Sequence, residues 1–425
     1  MRVSTRSNLA AATLAFAFAS ITTSAAGEIT DAVRSKNSTW MASSIMSRSQ
    51  GIMTGNGGSS ELLQAGFTQR ALTALAAQYP SDAFTSDAKA YVLSSASSVS
   101  PFVRNATRDA LAYPLDRLSN GLALLDLATP TENLTSGPGS FAIAATALRE
   151  SIDLNRRNAE GGMWYYTYPH WSYLDGMYSL APFYVRFHVE AETAYPIPEW
   201  KQATVDAAND TYHQLDLLWR HTRNASSGLL AHGYDASRTA VWADPDTGAS
   251  PHVWGRSLGW YAMALVDLLE VLPESAALCE YRDLVLEKLR SLAGAIVKAV
   301  DPATGGWWQV LDEPGREGNY IESSGSAMFA YALLKGTRLG YFATDATLAS
   351  AAVDAAIRGH GYLTDTFVVR ETNGTLGYNG TVSVCSLNST ATYEYYIGQP
   401  INYNSVLGSA AYILASLEVE RLAAQ

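Results

Sequence analysis

Residues 255 to 259 read Gly-Arg-Ser-Leu-Gly, the G-x-S-x-G spacing of a serine-hydrolase nucleophile elbow. Such an elbow needs a buried strand before it and alternating strands and helices around it. Here "DPDTGASPHVW" comes first, with two prolines and a glycine, and no such alternation surrounds it. Ser257 is therefore predicted to be a small helix-start residue, favoured there for its hydroxyl, and not a nucleophile. Carboxylates offer a different chemistry. Asp116 in "YPLDRL" and Asp175 in "WSYLDG" share a Leu-Asp context at predicted helix starts. A single Asp there is usually a cap, stabilised by the backbone dipole. Two in matching context are different, because Tyr113 lies near one and Tyr168, Trp171 and Tyr173 near the other. Paired carboxylates in an aromatic-lined pocket are the equipment of sugar chemistry, although aromatics alone also serve as ordinary core. The dipole lowers both carboxyl pKa values, whereas desolvation and mutual repulsion raise one of them. A general acid needs the second effect to win.

Four further residues fall at the same predicted level. Arg256 follows Trp254 at one helix start, Glu322 opens another, and His232 sits in the loop "LLAHGYD". A guanidinium beside an indole can hold a carboxylate in a fixed plane. In a chain of net charge −11, a pocket arginine points to an acidic sugar, the plainer reading being a structural ion pair.

These residues need elements to bring them together. Hydrophobic periodicity predicts twelve helices, starting near Val33, Glu61, Ser86, Leu115, Gly139, Asp175, Trp200, Gly255, Cys279, Glu322, Asp345 and Asn404. Odd-numbered ones carry more charge and suit an outer layer. Even-numbered ones are rich in small and aromatic residues and suit an inner one. The loops "EGGMWYYTYP", "SSGLLAHGYD", "TGGWWQVLD" and "NGTLGYNGT" each lead from an odd helix toward an even one. Their glycines at 161, 228, 305 and 374 recur about every 70 residues, the mark of a repeat architecture. Six helical hairpins close into an all-α (α/α)6 barrel, with these loops on one face where the inner helices begin.

Composition narrows the setting. Arg2 and Arg6 precede an apolar run from Leu9 to Ile21, and Ser24-Ala25-Ala26 offers a cleavage site. Residues 1–26 are predicted to be a secretory signal, leaving residues 27–425 as one catalytic domain. Eight N-x-S/T sequons, at Asn37, Asn105, Asn133, Asn209, Asn224, Asn373, Asn379 and Asn388, use half of the sixteen asparagines. A secreted glycoprotein is expected. The negative charge disfavours nucleic acid and anionic membranes as partners. Two cysteines, Cys279 and Cys385, exclude a disulfide-stapled scaffold and a cysteine metal site. They are predicted to lie at opposite ends of the barrel, about 25 Å apart at ~1.5 Å rise per residue, and so to be unbonded.

The segments "WSYLDGMYSLAPFY", "WGRSLGWYAMALVDLLEVLP", "TGGWWQVLDEPGREGNYIESSGSAMFAYALLKGTRLGY" and "YEYYIGQPINYNSVLGSAAYILAS" resemble glycoside hydrolase family 105, the unsaturated rhamnogalacturonyl hydrolases and relatives. The resemblance covers most of the chain, most strongly from about residue 110. It implies an (α/α)6 barrel without metal or cofactor. Asp175 matches the family's general acid/base, Asp116 its second pocket aspartate, and His232, Trp254 and Arg256 its substrate-contacting positions. The chain departs from the family at Gly162-Met163-Trp164-Tyr165, where bacterial members often carry a histidine. The implied substrate is a lyase-made oligosaccharide ending in a 4,5-unsaturated uronic acid, first of all unsaturated galacturonyl-rhamnose from pectin. The implied reaction is hydration of the C4=C5 double bond. Unsaturated glucuronyl ends, a conventional inverting glycosidase using both aspartates, and a non-catalytic sugar-binding barrel are the alternatives.

Overall fold

The computed structural model describes residues 31–56, 60–128 and 140–424. The predicted signal segment and Asn133 lie outside these residues. Twelve helices build the frame: α1 (Asn37–Ser47), α2 (Glu61–Gln78), α3 (Phe84–Val99), α4 (Gly121–Leu127), α5 (Phe141–Asp153), α6 (Asp175–Ala194), α7 (Pro198–Thr222), α8 (Gly255–Val271), α9 (Cys279–Lys298), α10 (Ser323–Arg338), α11 (Ala346–Phe367) and α12 (Val406–Ala423). A 3-10 turn, Leu115–Asn120, precedes α4 and continues into it. Short helical pieces occur at Asp31–Arg34, Ala106–Ala112 and Tyr393–Ile397.

The predicted parity holds. The even helices α2, α4 with its 3-10 turn, α6, α8, α10 and α12 contact one another in that order, and α12 returns to α2, closing a ring. Outer helices pack behind: α3 on α2, α5 on α4, α7 on α6, α9 on α8, α11 on α10, and α1 on α12. Sequence explains the layering. In α8 and α10 nearly every residue is buried, as in "SSGSAMFAYALLKG", because inner helices meet protein on all sides. In α7 and α9 the buried residues keep to one stripe and charged residues cover the rest. Caps mark several starts: Ser140 for α5, Glu322 for α10 and Asp345 for α11 each accept an amide hydrogen three residues on.

The loop repeat has a common geometry. Gly161, Gly228, Gly305 and Gly374 all lie in the left-handed region, at φ between 76° and 84°. Each amide donates back three or four residues, to Asn158, Asn224, Asp301 and Glu371. A side chain at such a φ would be strained, which is why glycine recurs there. Past this turn the chain folds back toward the inner helix. Two small antiparallel pairs form in these loops: β1 (Trp171–Tyr173) with β2 (Gly233–Asp235), and β3 (Val368–Arg370) with β4 (Leu376–Tyr378).

Of the described sequons, Asn105, Asn209, Asn224, Asn373, Asn379 and Asn388 are exposed and Asn37 is half-buried. Cys279 is exposed and Cys385 buried, and they are not bonded to each other. Among the described residues, no helix is long and apolar enough to cross a membrane.

Candidate active site

Asp175 is the first residue of α6, and the β pair decides what faces it. Trp171 pairs with Asp235 and Tyr173 with Gly233, so the residues just outside the pair, Leu174 and His232, also meet. The Leu174 amide donates to the His232 carbonyl at 3.1 Å. Gly233 permits this closeness, since a Cβ there would lie 2.4 Å from the Ser172 carbonyl oxygen. His232 Nε2 consequently sits 3.3 Å from Asp175 Oδ2. The imidazole is fully buried, 5.2 Å from the Tyr173 ring and 4.9 Å from Trp254. Its Nδ1 lies 2.8 Å from the Tyr396 hydroxyl.

Ser257 completes this side of the site. It stands in the first turn of α8, as predicted, but the N-cap is Trp254 and the Ser257 hydroxyl does not cap the helix. Its hydroxyl donates to Asp175 Oδ2 at 2.5 Å and lies 3.3 Å from the His232 carbonyl oxygen. It is completely buried, so the exclusion of a nucleophile stands. Its hydroxyl is spent on the carboxylate, and no described contact joins it to an imidazole nitrogen.

Asp116 lies in the first turn of the 3-10 segment and is 4 % exposed. Tyr165 holds it, donating its hydroxyl to Oδ2 at 2.7 Å. The Tyr165 carbonyl accepts from the Leu115 amide at 2.9 Å, and its own amide donates to Trp171 at 2.8 Å. The rings of Tyr165 and Tyr173 stack at 4.3 Å, so one aromatic pair runs from Asp116 to the His232 imidazole. Burial pushes the Asp116 carboxyl up to about 7, helped by the charge of Asp175 and opposed by the Tyr165 hydrogen bond and by Arg117. The contest between dipole and desolvation is thus decided in favour of desolvation at Asp116. Asp116 Oδ1, His232 Nε2 and the Tyr320 hydroxyl are buried with no well-formed hydrogen bond. Buried polar atoms left open in this way are expected where a ligand supplies the partner.

Arg256 and Trp254 pack together beside His232. The guanidinium stacks 4.6 Å from the Trp254 ring, as anticipated. It donates to the carbonyls of Val382 and Ser383, at 2.6 Å each, and lies 3.9 Å from Glu322. At 1 % exposure it ties the 382–383 loop to the barrel, so it is not a free clamp for a carboxylate. Trp254 is also buried, and its indole N–H donates to Gln309 at 3.0 Å. Glu322 follows its plainer reading: it caps α10 and accepts from Ser324, Gly325 and Val382. Cys385 lies against Gln309 on this face, and burial pushes its thiol up to about 12.

The groups missed from sequence are Tyr165, Tyr396 and Gln309. Tyr165 and Gln309 fall in the repeated glycine loops, and that repeat is the signal that could have found them.

Comparison with known proteins agrees with this geometry. The family model described as Glycosyl Hydrolase Family 88 matches residues 39–423. The chain belongs to the family 88/105 glycoside hydrolases. A solved family 105 glycoside hydrolase from C. acetobutylicum ATCC 824 is 30% identical, with a TM-score of 0.73, covering 91% of this chain and 99% of that one. The unsaturated glucuronyl hydrolase of Bacillus sp. GL1 shares the fold at 15% identity, with a TM-score of 0.62 over 92% and 96% of the two chains. The 24.9 kDa protein in the picA locus of Rhizobium radiobacter is 39% identical over 199 residues, 45% of this chain and 82% of that protein. This glycoside hydrolase carries Asp116 and Asp175 at inner-helix starts of a helical barrel.

Proposed function

We propose that this hydrolase removes a terminal 4,5-unsaturated uronic acid from lyase-generated oligosaccharides by hydrating the C4=C5 bond, with unsaturated galacturonyl-rhamnose as the first substrate. The observation that carries the reading is the unequal carboxyl pair. Asp116 holds a proton up to about pH 7, while Asp175 accepts from Ser257 with His232 beside it. Two carboxyl groups in unequal settings on one face, one lifted by burial and one faced by a hydroxyl and an imidazole, are the equipment for proton donation and return.

In the proposed sequence, the Asp175 carboxyl gives a proton to C4 and water adds its oxygen to C5. The proton released by that water returns to Asp175. The C5 hemiketal opens by breaking its C5–O5 bond, its hydroxyl proton passing to O5, to leave a C5 ketone and a C1 hemiacetal; the hemiacetal collapses to the aldehyde, its proton passing to the glycosidic oxygen as the neighbouring sugar leaves. Asp116 and Tyr165 orient the sugar or the water and supply the second carboxyl of the pair. His232 Nε2, 3.3 Å from Asp175 Oδ2, holds that carboxylate in place. Trp254 and Arg256 act here by fixing the floor of the site and its loop, with Tyr165, Tyr168 and Trp171 as the aromatic wall.

The apolar N-terminal segment and the exposed sequons support a secreted setting. The unsaturated glucuronyl hydrolase among the solved neighbours supports the substrate class. The test is direct. Unsaturated disaccharide from a rhamnogalacturonan lyase should lose its ultraviolet absorbance on incubation, with release of free rhamnose. New reducing ends from the saturated disaccharide, with absorbance of the unsaturated one unchanged, would assign a conventional glycosidase.

A further inference from the structure

Tyr396, His232 and Asp175 stand in line. Tyr396 belongs to the short helical piece Tyr393–Ile397, which Thr392 caps. Its carbonyl accepts from Gln309 at 3.1 Å, and Gln309 in turn accepts from the Trp254 indole at 3.0 Å. The ring is fully buried, so the phenol is held in place against the imidazole. Its hydroxyl lies 2.8 Å from His232 Nδ1, its one hydrogen-bond partner among the described residues. Across the imidazole, Nε2 lies 3.3 Å from Asp175 Oδ2, slightly beyond the ordinary N–H···O range, and has no other hydrogen-bond partner among them.

A neutral imidazole carries one proton, and both of its neighbours bear on where that proton sits. With the proton on Nδ1, the imidazole would donate to the Tyr396 oxygen. The phenol hydrogen would then be buried without a described acceptor, and the Nε2 lone pair would face a carboxylate oxygen. Both cost free energy. With the proton on Nε2, the phenol donates to Nδ1 and the Nε2 hydrogen faces Oδ2. Burial keeps the Tyr396 phenol well above its usual range, so its hydrogen is there to give. The long Nε2 contact makes the carboxylate alone a weak anchor, and a weaker one whenever Asp175 holds a proton. Tyr396 is the member of the line whose charge stays fixed.

The consequence falls on Asp175. Oδ2 accepts from Ser257 at 2.5 Å and faces the Nε2 hydrogen, so both of its lone pairs are engaged. Oδ1 receives no hydrogen bond from a described residue, and the side chain keeps 10% of its surface exposed. We propose that Tyr396 is a positioning residue: it holds the His232 proton on Nε2, keeps Asp175 Oδ2 as an acceptor, and leaves Oδ1 as the oxygen that gives the proton. In the hydration reading, on which this step rests, the C4=C5 electron pair takes the proton from Oδ1. The water that bonds to C5 returns one of its own to Oδ1.

The tautomer can be read without turnover. In protein carrying isotope-labelled histidine, long-range proton–nitrogen NMR separates protonated from bare ring nitrogens, with His232 assigned through His232→Gln. At about pH 8, above the ordinary histidine range, the proton is expected on Nε2 in the parent. It should stay there in Asp175→Leu, which offers neither donor nor acceptor. Adding Tyr396→Phe to Asp175→Leu should bring up the Nδ1-protonated form. In the active enzyme, Tyr396→Phe should lower kcat about three- to tenfold, the worth of one neutral hydrogen bond, with KM and melting temperature little changed. In the His232→Gln background the same change should cost less than about twofold, since the amide has no tautomer to set. The role is overturned by a proton on Nδ1 in the parent, by a tautomer indifferent to Tyr396→Phe, or by an equal loss of kcat with and without His232. A parent that leaves the unsaturated disaccharide unchanged would sink the hydration reading instead, and the spectra would still decide the tautomer.

Discussion

Asp116 and Asp267 are both buried on the inner ring, and they are treated in opposite ways. Asp116, on the face where the inner helices begin, has a tyrosine hydroxyl and one open oxygen, and burial lifts its carboxyl to about 7. Asp267, near the other end of α8, is also subject to desolvation, but Lys335 and Arg70 outweigh it and hold the carboxyl below its usual range. Lys335 donates to Asp267 at 2.6 Å and to Glu270 at 2.7 Å, and nearby Arg338 grips Glu418 with two nitrogens. Buried charge at the far end is matched cation for anion. Asp116 makes no ion pair among the described residues, and the charge of Arg117 does not outweigh burial there. A pair matched in this way is a structural device, whereas an unmatched one costs stability and is kept for its chemistry.

The difference can be broken from either side. The largest effect is expected at the catalytic face. Asp175→Asn should lower kcat about 10²–10⁴-fold, because the amide cannot shuttle a proton, with the circular dichroism spectrum and melting temperature preserved. Near-parental turnover would remove Asp175 from its role. At the far end, Lys335→Met should leave a buried carboxylate short of its nearest cation. It is expected to cost about 3–5 kcal/mol in urea denaturation at pH 7. An unchanged midpoint would mean that Arg70 alone suffices for Asp267.

Asp116→Asn tests the sign of the contrast. With a folded pKa of about 7 and an unfolded value near 3.8, the native state holds the extra proton between those limits. Stability owed to that proton is full below about pH 4 and declines as pH rises to 7. Asparagine has no such decline. The variant should therefore gain on the parent by up to about 4 kcal/mol between pH 4 and pH 8, while losing activity. A parent-to-variant difference independent of pH would show that Asp116 is ionised throughout.

Ser257→Ala is the mildest. It removes a donor to Asp175 and should lower kcat about tenfold, the worth of one hydrogen bond to a charged group. Full activity in the folded variant would reduce Ser257 to packing.

Much of this frame is legible in the sequence. Helix starts such as Glu61, Asp175, Gly255 and Cys279 fall where the periodicity places them, because inner and outer faces impose distinct patterns on neighbouring residues. The glycine loops are legible for a similar reason: one turn, repeated, demands one residue type. Side-chain partnerships are another matter. Tyr165 meets Asp116 across 49 residues, Ser257 meets Asp175 across 82, and Tyr396 meets His232 across 164. Local pattern carries no record of such pairs, since each is made by ring closure. Arg256 shows the limit most plainly. Its place beside Trp254 follows from adjacency, but its commitment to the 382–383 carbonyls depends on a loop 126 residues away.

Closure has a mechanical consequence. Ser38 at the start of α1 donates twice to Glu420 in α12, and Trp40 donates to the carbonyl of Gly374. The earliest and latest helices of the ring are thus fastened together. A stack of helical hairpins left open would have two weak ends from which to peel, one repeat at a time. A ring has no end repeat. Every hairpin leans on two others, as stones do in an arch, and removing any one loosens both neighbours. Loss of structure should therefore come as a single cooperative collapse rather than as fraying from one side.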